Sequence, residues 1–156
     1  MTAAANNSSF VYVTYIRTTP EKLWRALTEA EFTRQFWAAT TQICDWKVGS
    51  SWKLMIPDGR VADVGEVLEI DPPRRLVLSW RNEFTALRAE GFSRMTYLLE
   101  PQGDMVKLTV SHEMPHPGSQ FIEKVSGGWP IILSSLKSLL ETGESLESTR
   151  RWPEGI

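Results

Sequence analysis

Cysteine and histidine are nearly missing from this sequence: Cys44, His112 and His116 are the whole inventory in 156 residues. A lone cysteine closes no intrachain disulfide, and so few soft ligands cannot furnish a structural zinc site of the Cys/His type, so no metal is expected. Charge of one sign is also missing. With 17 Lys+Arg against 19 Asp+Glu and a formal net charge of -2, the chain lacks the basic surface that follows nucleic-acid phosphates, and no nucleic-acid partner is expected. No apolar run approaches the ~20 residues of a membrane span, and residues 1–9 lack the basic start and apolar stretch of a secretory signal. The expectation is a cytoplasmic protein in which Cys44 stays a structural thiol, because the adjacent Asp45 offers no positive charge to activate it.

The chain is long enough to hold one domain with a sizeable core, and it is rich in rings: seven Trp, six Phe and three Tyr. Such side chains serve equally as packed core and as the lining of a ligand cavity. Phe10 to Arg17 mixes aromatic and β-branched residues, the composition of a strand. Thr19-Pro20-Glu21 then starts a helix: a capping hydroxyl, a proline where no N–H is needed, and an acid at the positive end of the dipole. Leu23, Trp24 and Leu27 give that helix its apolar stripe. A second short helix is expected from Glu29 to Trp37.

From Thr40 the pattern becomes one of hairpins. Strands are predicted at Gln42–Trp46, Ser51–Ile56, Val61–Ile70, Leu76–Trp80, Ser93–Leu99 and Val106–Met114, separated by Gly- and Pro-bearing turns. The longer connection from Asn82 to Gly91 carries Phe84 and Leu87, which can cover an opening. From Ser119 to about Leu146 the apolar spacing is helical again, through Phe121, Val125, Trp129, Ile132, Leu136 and Leu140, with Pro130 expected to kink or divide the helix. A long helix with one apolar face must lie on something, and the sheet is the partner available. The predicted fold is α+β: a curved antiparallel sheet of about six to seven strands around a long C-terminal helix, with two short helices after the first strand. The domain is expected over residues 10–146, with 1–9 disordered or frayed and 147–156 a C-terminal tail that is either ordered against a partner or frayed.

Several segments then take on a familiar look. Thr19-Pro20-Glu21-Lys22-Leu23-Trp24-Arg25-Ala26-Leu27-Thr28 resembles the opening helix of the family named for the activator of the heat-shock-protein-90 ATPase, in the START-related SRPBCC superfamily. Phe36-Trp37, Val48-Gly49-Ser50-Ser51-Trp52, Asp58-Gly59, the run from Gly65 to Leu76, and Gly128-Trp129 through Gly143 follow in the same order; Ser50 stands where many relatives carry a second glycine. The resemblance implies a helix-grip fold with a hydrophobic cavity between sheet and helix. It also implies a menu of functions: ligand carriers, polyketide aromatase/cyclases and co-chaperone or stress-response modules, some of them homodimers. Fold alone does not choose among them.

Strand alternation nominates the cavity-lining residues: Trp52 and Leu54 in one strand, Trp80 in another, Met95 and Tyr97 in the next, Val110 and His112 in the last, and Trp129, Ile132 and Leu136 from the helix. Each has a second reading as packed core. His112, in an apolar phase, is either an acid/base group or a core histidine with satisfied nitrogens. Tyr97 needs a partner for its hydroxyl if buried. Glu66, sharing a phase with Val64 and Leu68, is a candidate base if it points inward and a hydrated carboxylate if not, with Arg17 and Arg81 as its ion-pair candidates. Ser111 cannot pair with the adjacent His112 because neighbours on a strand face opposite ways. No catalytic constellation, phosphate-binding loop or cofactor motif emerges. The expected partner is a hydrophobic or aromatic small molecule, with a chaperone as the alternative.

Overall fold

The computed structural model describes residues 7–153. Seven strands form one antiparallel sheet: β1 (Ser8–Ile16), β2 (Thr41–Cys44), β3 (Ser51–Met55), β4 (Val61–Asp71), β5 (Arg75–Asn82), β6 (Ser93–Gln102) and β7 (Met105–Met114). Their order across the sheet is β1-β7-β6-β5-β4-β3-β2, so β2 to β7 succeed one another as hairpins and β1 closes the far side. Between β1 and β2 lie helices α1 (Pro20–Thr28) and α2 (Ala30–Phe36), and α3 (Thr85–Arg88) is a single turn between β5 and β6. Helix α4 (Gln120–Thr142) lies in the concave face. This is the predicted helix-grip architecture.

Local chemistry explains the ends of the elements. Thr19 caps α1 by accepting from the Lys22 N–H at 3.2 Å, with Pro20 in the first turn. Ser119 caps α4 through the Ile122 N–H at 3.1 Å, and Gly143, at φ 88°, ends it in the left-handed conformation that an L side chain resists. Glu90, from the β5–β6 connection, accepts from the Ser119 hydroxyl at 2.5 Å and from the Phe121 N–H at 3.0 Å, tying that connection to the start of α4. Pro130 does not divide the helix, which runs unbroken from Gln120 to Thr142. Trp129, Leu133, Leu136 and Leu139 are buried on and beyond the proline, and packing of that face offsets the lost backbone hydrogen bond.

The core is the alternate face of each strand against α4: Trp52, Leu54, Leu76, Leu78, Trp80, Met95, Tyr97, Leu99, Val106, Leu108, Val110, His112 and Met114 are all buried. Strand β4 departs from the simple phase. Its register against β3 shifts between Leu54 and Met55, so Ala62 is unpaired with β3, though its carbonyl accepts from the Glu83 N–H at 2.8 Å, and Asp63 and Val67 are buried on the inward face. Glu66 is therefore exposed, correcting the alternative that pointed it inward; its suggested partners are elsewhere, Arg17 beside Asp104 and Arg81 on Glu83. Gly65 has a reason to be glycine, since a Cβ there would meet the Ser79 carbonyl oxygen of β5.

Both ends of the domain extend past the predicted limits. Ser8 and Ser9 are already in β1, and the Ser8 hydroxyl donates to the His116 carbonyl at 2.8 Å while accepting from the Ser119 N–H at 2.9 Å. At the other end a 3-10 turn at Glu147–Thr149 is anchored, not frayed: Thr149 is buried, its hydroxyl pairs with Ser135 at 2.6 Å, and its carbonyl accepts from the Ala38 N–H at 2.6 Å. Ala38 and Ala39 hold φ of 51° and 60°, so this strained turn and the C-terminal segment brace each other. Residues 1–6 and 154–156 of the two predicted tails lie outside the described residues.

Candidate functional site

A cavity of about 260 Å³ opens between the sheet, α4, the β5–β6 connection and the C-terminal segment. It is just below the usual size of a pocket for a drug-sized ligand. Trp37, Trp80 and Trp129 form one wall as a mutual cluster, with ring centroids 5.8 Å apart for Trp37 and Trp80, 5.4 Å for Trp37 and Trp129, and 5.9 Å for Trp80 and Trp129. Phe84 and Trp152, 6.4 Å apart, also line the cavity, as does Leu87 of the same connection as Phe84. Ile132, Val125, Phe121 and Leu54 complete the apolar lining, and the polar groups are Asp63, Asn82 and Lys124.

Of the residues nominated from sequence, Leu54, Trp80, Trp129 and Ile132 reach this cavity. Trp52, Met95, Tyr97, Val110 and Leu136 belong to the hydrophobic core, and His112 is fully buried; none of the six lines the cavity. Trp52 stacks obliquely on Trp80 at 4.4 Å and donates its indole N–H to Gln42 at 2.9 Å, which makes it a support for the wall.

His112 is fully committed. The Ser93 hydroxyl gives its one proton to the Trp80 carbonyl at 2.8 Å, so the 2.8 Å contact between Ser93 and His112 Nε2 requires the proton on Nε2. Nδ1 then accepts from the Trp129 indole N–H at 3.2 Å. Burial holds the imidazole neutral, pulling its pKa down to about 3. Both nitrogens are occupied by the fold, which favours the core-histidine reading. Tyr97 is the opposite case: its hydroxyl is enclosed and has no hydrogen-bond partner among the described residues.

The polar group that faces the cavity is one that strand alternation overlooked. Asp63 is 6% exposed and its Oδ1 accepts from the Trp80 indole N–H at 2.9 Å and from Asn82 Nδ2 at 3.0 Å. Burial pushes its pKa up to about 6, against the two hydrogen bonds that favour the charged form. The even-numbered phase of β4 looked inward because Val64 and Leu68 are apolar; Gly65, a mark of close backbone approach, was the signal for the odd phase. Trp37, Asn82 and Trp152 were likewise not nominated.

A seven-stranded antiparallel sheet gripping a C-terminal helix over an aromatic cavity defines a helix-grip protein of the START-related class. Residues 17–141 match the family described as activator of Hsp90 ATPase homolog 1-like protein, and the chain belongs to that family. No protein of curated function matches it in sequence. Among solved structures, it is similar to the Aha1 dimer of Colwellia psychrerythraea at 21% identity and TM-score 0.72, covering 88% of this chain and 99% of that one. CalU16 from Micromonospora echinospora shares 21% identity at TM-score 0.69, covering 86% and 77%. An HSP90 activator from Plasmodium falciparum shares 22% at TM-score 0.68, covering 85% and 95%. At these identities the likeness is one of fold. Among the described residues, no helix is long and apolar enough to cross a membrane.

Proposed function

We propose that this protein binds a small hydrophobic or aromatic molecule in the cavity between its sheet and C-terminal helix. The observation that carries the reading is the cavity itself: ring-lined, with a few convergent polar groups, which is the composition of a ligand site. The protein would then act as a carrier or sensor in the cytoplasm. Mass spectrometry of freshly purified protein under native and denaturing conditions tests it, with an adduct expected that disappears on denaturation. A clean apo mass, together with indole N–H resonances that do not move when small aromatics are titrated in, overturns it.

A chaperone-partner reading is second, supported by the family and by the likeness to an HSP90 activator. Stimulation of the matching chaperone's ATPase decides it. The Colwellia dimer favours testing for a homodimer in the same preparations. A cyclase-like activity draws least support, since His112 has both nitrogens engaged and Glu66 faces solvent.

A further inference from the structure

Taking the cavity as the ligand site, we infer that its ligand class is an organic cation: a tertiary or quaternary ammonium group on a small apolar body, seated among the indoles of Trp37, Trp80 and Trp129 and facing Asp63. Three observations meet here. The walls are π faces and edges at three mutually packed indoles, with Phe84 and Trp152 also in the lining, and aromatic enclosures of this kind attract cations through the ring quadrupole. The buried carboxylate among them has no counterion among the described residues: the charged neighbour that acts on Asp63 is Glu83, which is also negative. Both protein donors converge on Oδ1, so Oδ2 accepts from no described residue, yet Asp63 lines the cavity and the fully enclosed unpartnered atom is Tyr97 Oη. Oδ2 is therefore presented to the cavity. A buried, half-satisfied carboxylate is costly unless something positive or donating completes it.

Of the other charges around the site, Arg60 lies 5.6 Å over the Phe84 ring and pairs with Asp58 at 2.8 Å. Glu83 is held by Arg81 at 2.9 Å and Arg88 at 3.3 Å. Lys124, on α4, is the other charged side chain of the lining, and it is exposed, free to turn its ammonium into water. A neutral aromatic without a hydrogen-bond donor would use the rings and leave Oδ2 bare. A cation uses both.

The test compares phenyltrimethylammonium with tert-butylbenzene, which differ by one atom, N⁺ for C. Affinities are read by titration of the Trp indole N–H resonances at neutral pH. The cation is expected to bind at least about tenfold tighter, and Asp63→Asn, which keeps an acceptor for Trp80, is expected to bring the two to parity. In the wild type, lowering the pH through about 6 should weaken the cation and leave the hydrocarbon unchanged, because the protonated Asp63 is neutral. Equal binding, or tighter binding of the hydrocarbon, overturns the cation inference and leaves the cavity a ligand site. A cation preference that survives both Asp63→Asn and low pH also overturns it. Binding of neither probe overturns both this inference and the cavity reading beneath it.

Discussion

Two buried polar groups sit on either side of Trp80 and are treated in opposite ways. On the core side of Trp80 and Trp129, His112 sits in a closed chain of donors: the Trp129 N–H to Nδ1, Nε2–H to Ser93, and the Ser93 hydroxyl to the Trp80 carbonyl. On the cavity side, Asp63 takes the Trp80 N–H and an Asn82 amide on one oxygen and shows the other to the cavity. A completed network specifies packing and leaves no chemistry to offer, whereas an incomplete one has capacity for a ligand. Trp80 belongs to both, its backbone to the core and its indole N–H to the site. His112 has both ring nitrogens engaged by the fold, whereas Asp63 Oδ2 accepts from no described residue.

Breaking the closed side should have the largest effect. His112→Phe keeps the ring volume but strands the Trp129 N–H and removes the proton donated to Ser93, so we expect a loss of roughly 2–4 kcal/mol in urea unfolding. A loss under about 0.5 kcal/mol would show that the network contributes packing alone. The pH dependence sharpens this. Burial lowers the folded His112 pKa from 6.5 to about 3, so its stabilising contribution is full above the unfolded value and is lost as pH falls below it, by up to ~1.4 kcal/mol per pH unit. Asp63 has the reverse sign. Its folded pKa is raised from 3.8 to about 6, so its destabilising effect is absent below the unfolded value and grows as pH rises toward the folded one. The two slopes oppose each other across the window they share. His112→Phe should uncover the Asp63 slope, with stability rising as the solution is acidified from about pH 6 to about pH 4.

Asp63→Asn is the mirror experiment and the next in size. It retains an acceptor for Trp80 and Asn82 while removing the charge, so at neutral pH the variant is expected to be more stable than the wild type by ~1–3 kcal/mol, the gain vanishing below about pH 4. Its own stability should fall on acidification, following His112 together with the ion-paired Glu83 and Glu141, whose pKa values their hydrogen-bond partners lower. A variant that is more stable and has lost its preference for a cationic ligand would show the exchange of stability for function that binding sites commonly make. A variant less stable than the wild type at neutral pH would mean that the charged form is favoured by its surroundings, and the comparison drawn above would be wrong.

Much of this was legible in the sequence, and what was hidden has physical causes. Apolar alternation in Ser93–Leu99 and Val106–Met114 located the inward faces because those strands pair in continuous register. The same rule misled in β4, where the apolar Val64 and Leu68 share the outward face with Glu66 while Asp63 and Val67 are buried. Trp37 joined the cavity through the left-handed turn at Ala38 and Ala39, which no local signal other than a short helix end announces. Trp152 joined it through long-range contacts of Thr149 with Ala38 and Ser135, and sequence separation conceals such contacts. The C-terminal tail, for which fraying was one of two expectations, lines the cavity through Trp152 and Pro153.

Tyr97 sets the lower limit of the comparison, as a buried polar group with neither a protein network nor access to the cavity. It is 1% exposed, its hydroxyl finds no partner among the described residues, and burial raises its pKa further, so the group is neutral throughout the accessible pH range. An unmet hydroxyl costs about 1–3 kcal/mol of desolvation, which Tyr97→Phe removes without changing the ring or its edge-on contact with Trp129 at 6.0 Å. The expected outcome is a variant more stable by about 1–3 kcal/mol, with unaltered ligand affinity. Calorimetry and the same indole titration measure both. A clear loss of stability would mean that an ordered water satisfies the hydroxyl; Tyr97 would then belong with His112 among the satisfied groups, and Asp63 would be the one buried polar side chain of the three with capacity left for a ligand.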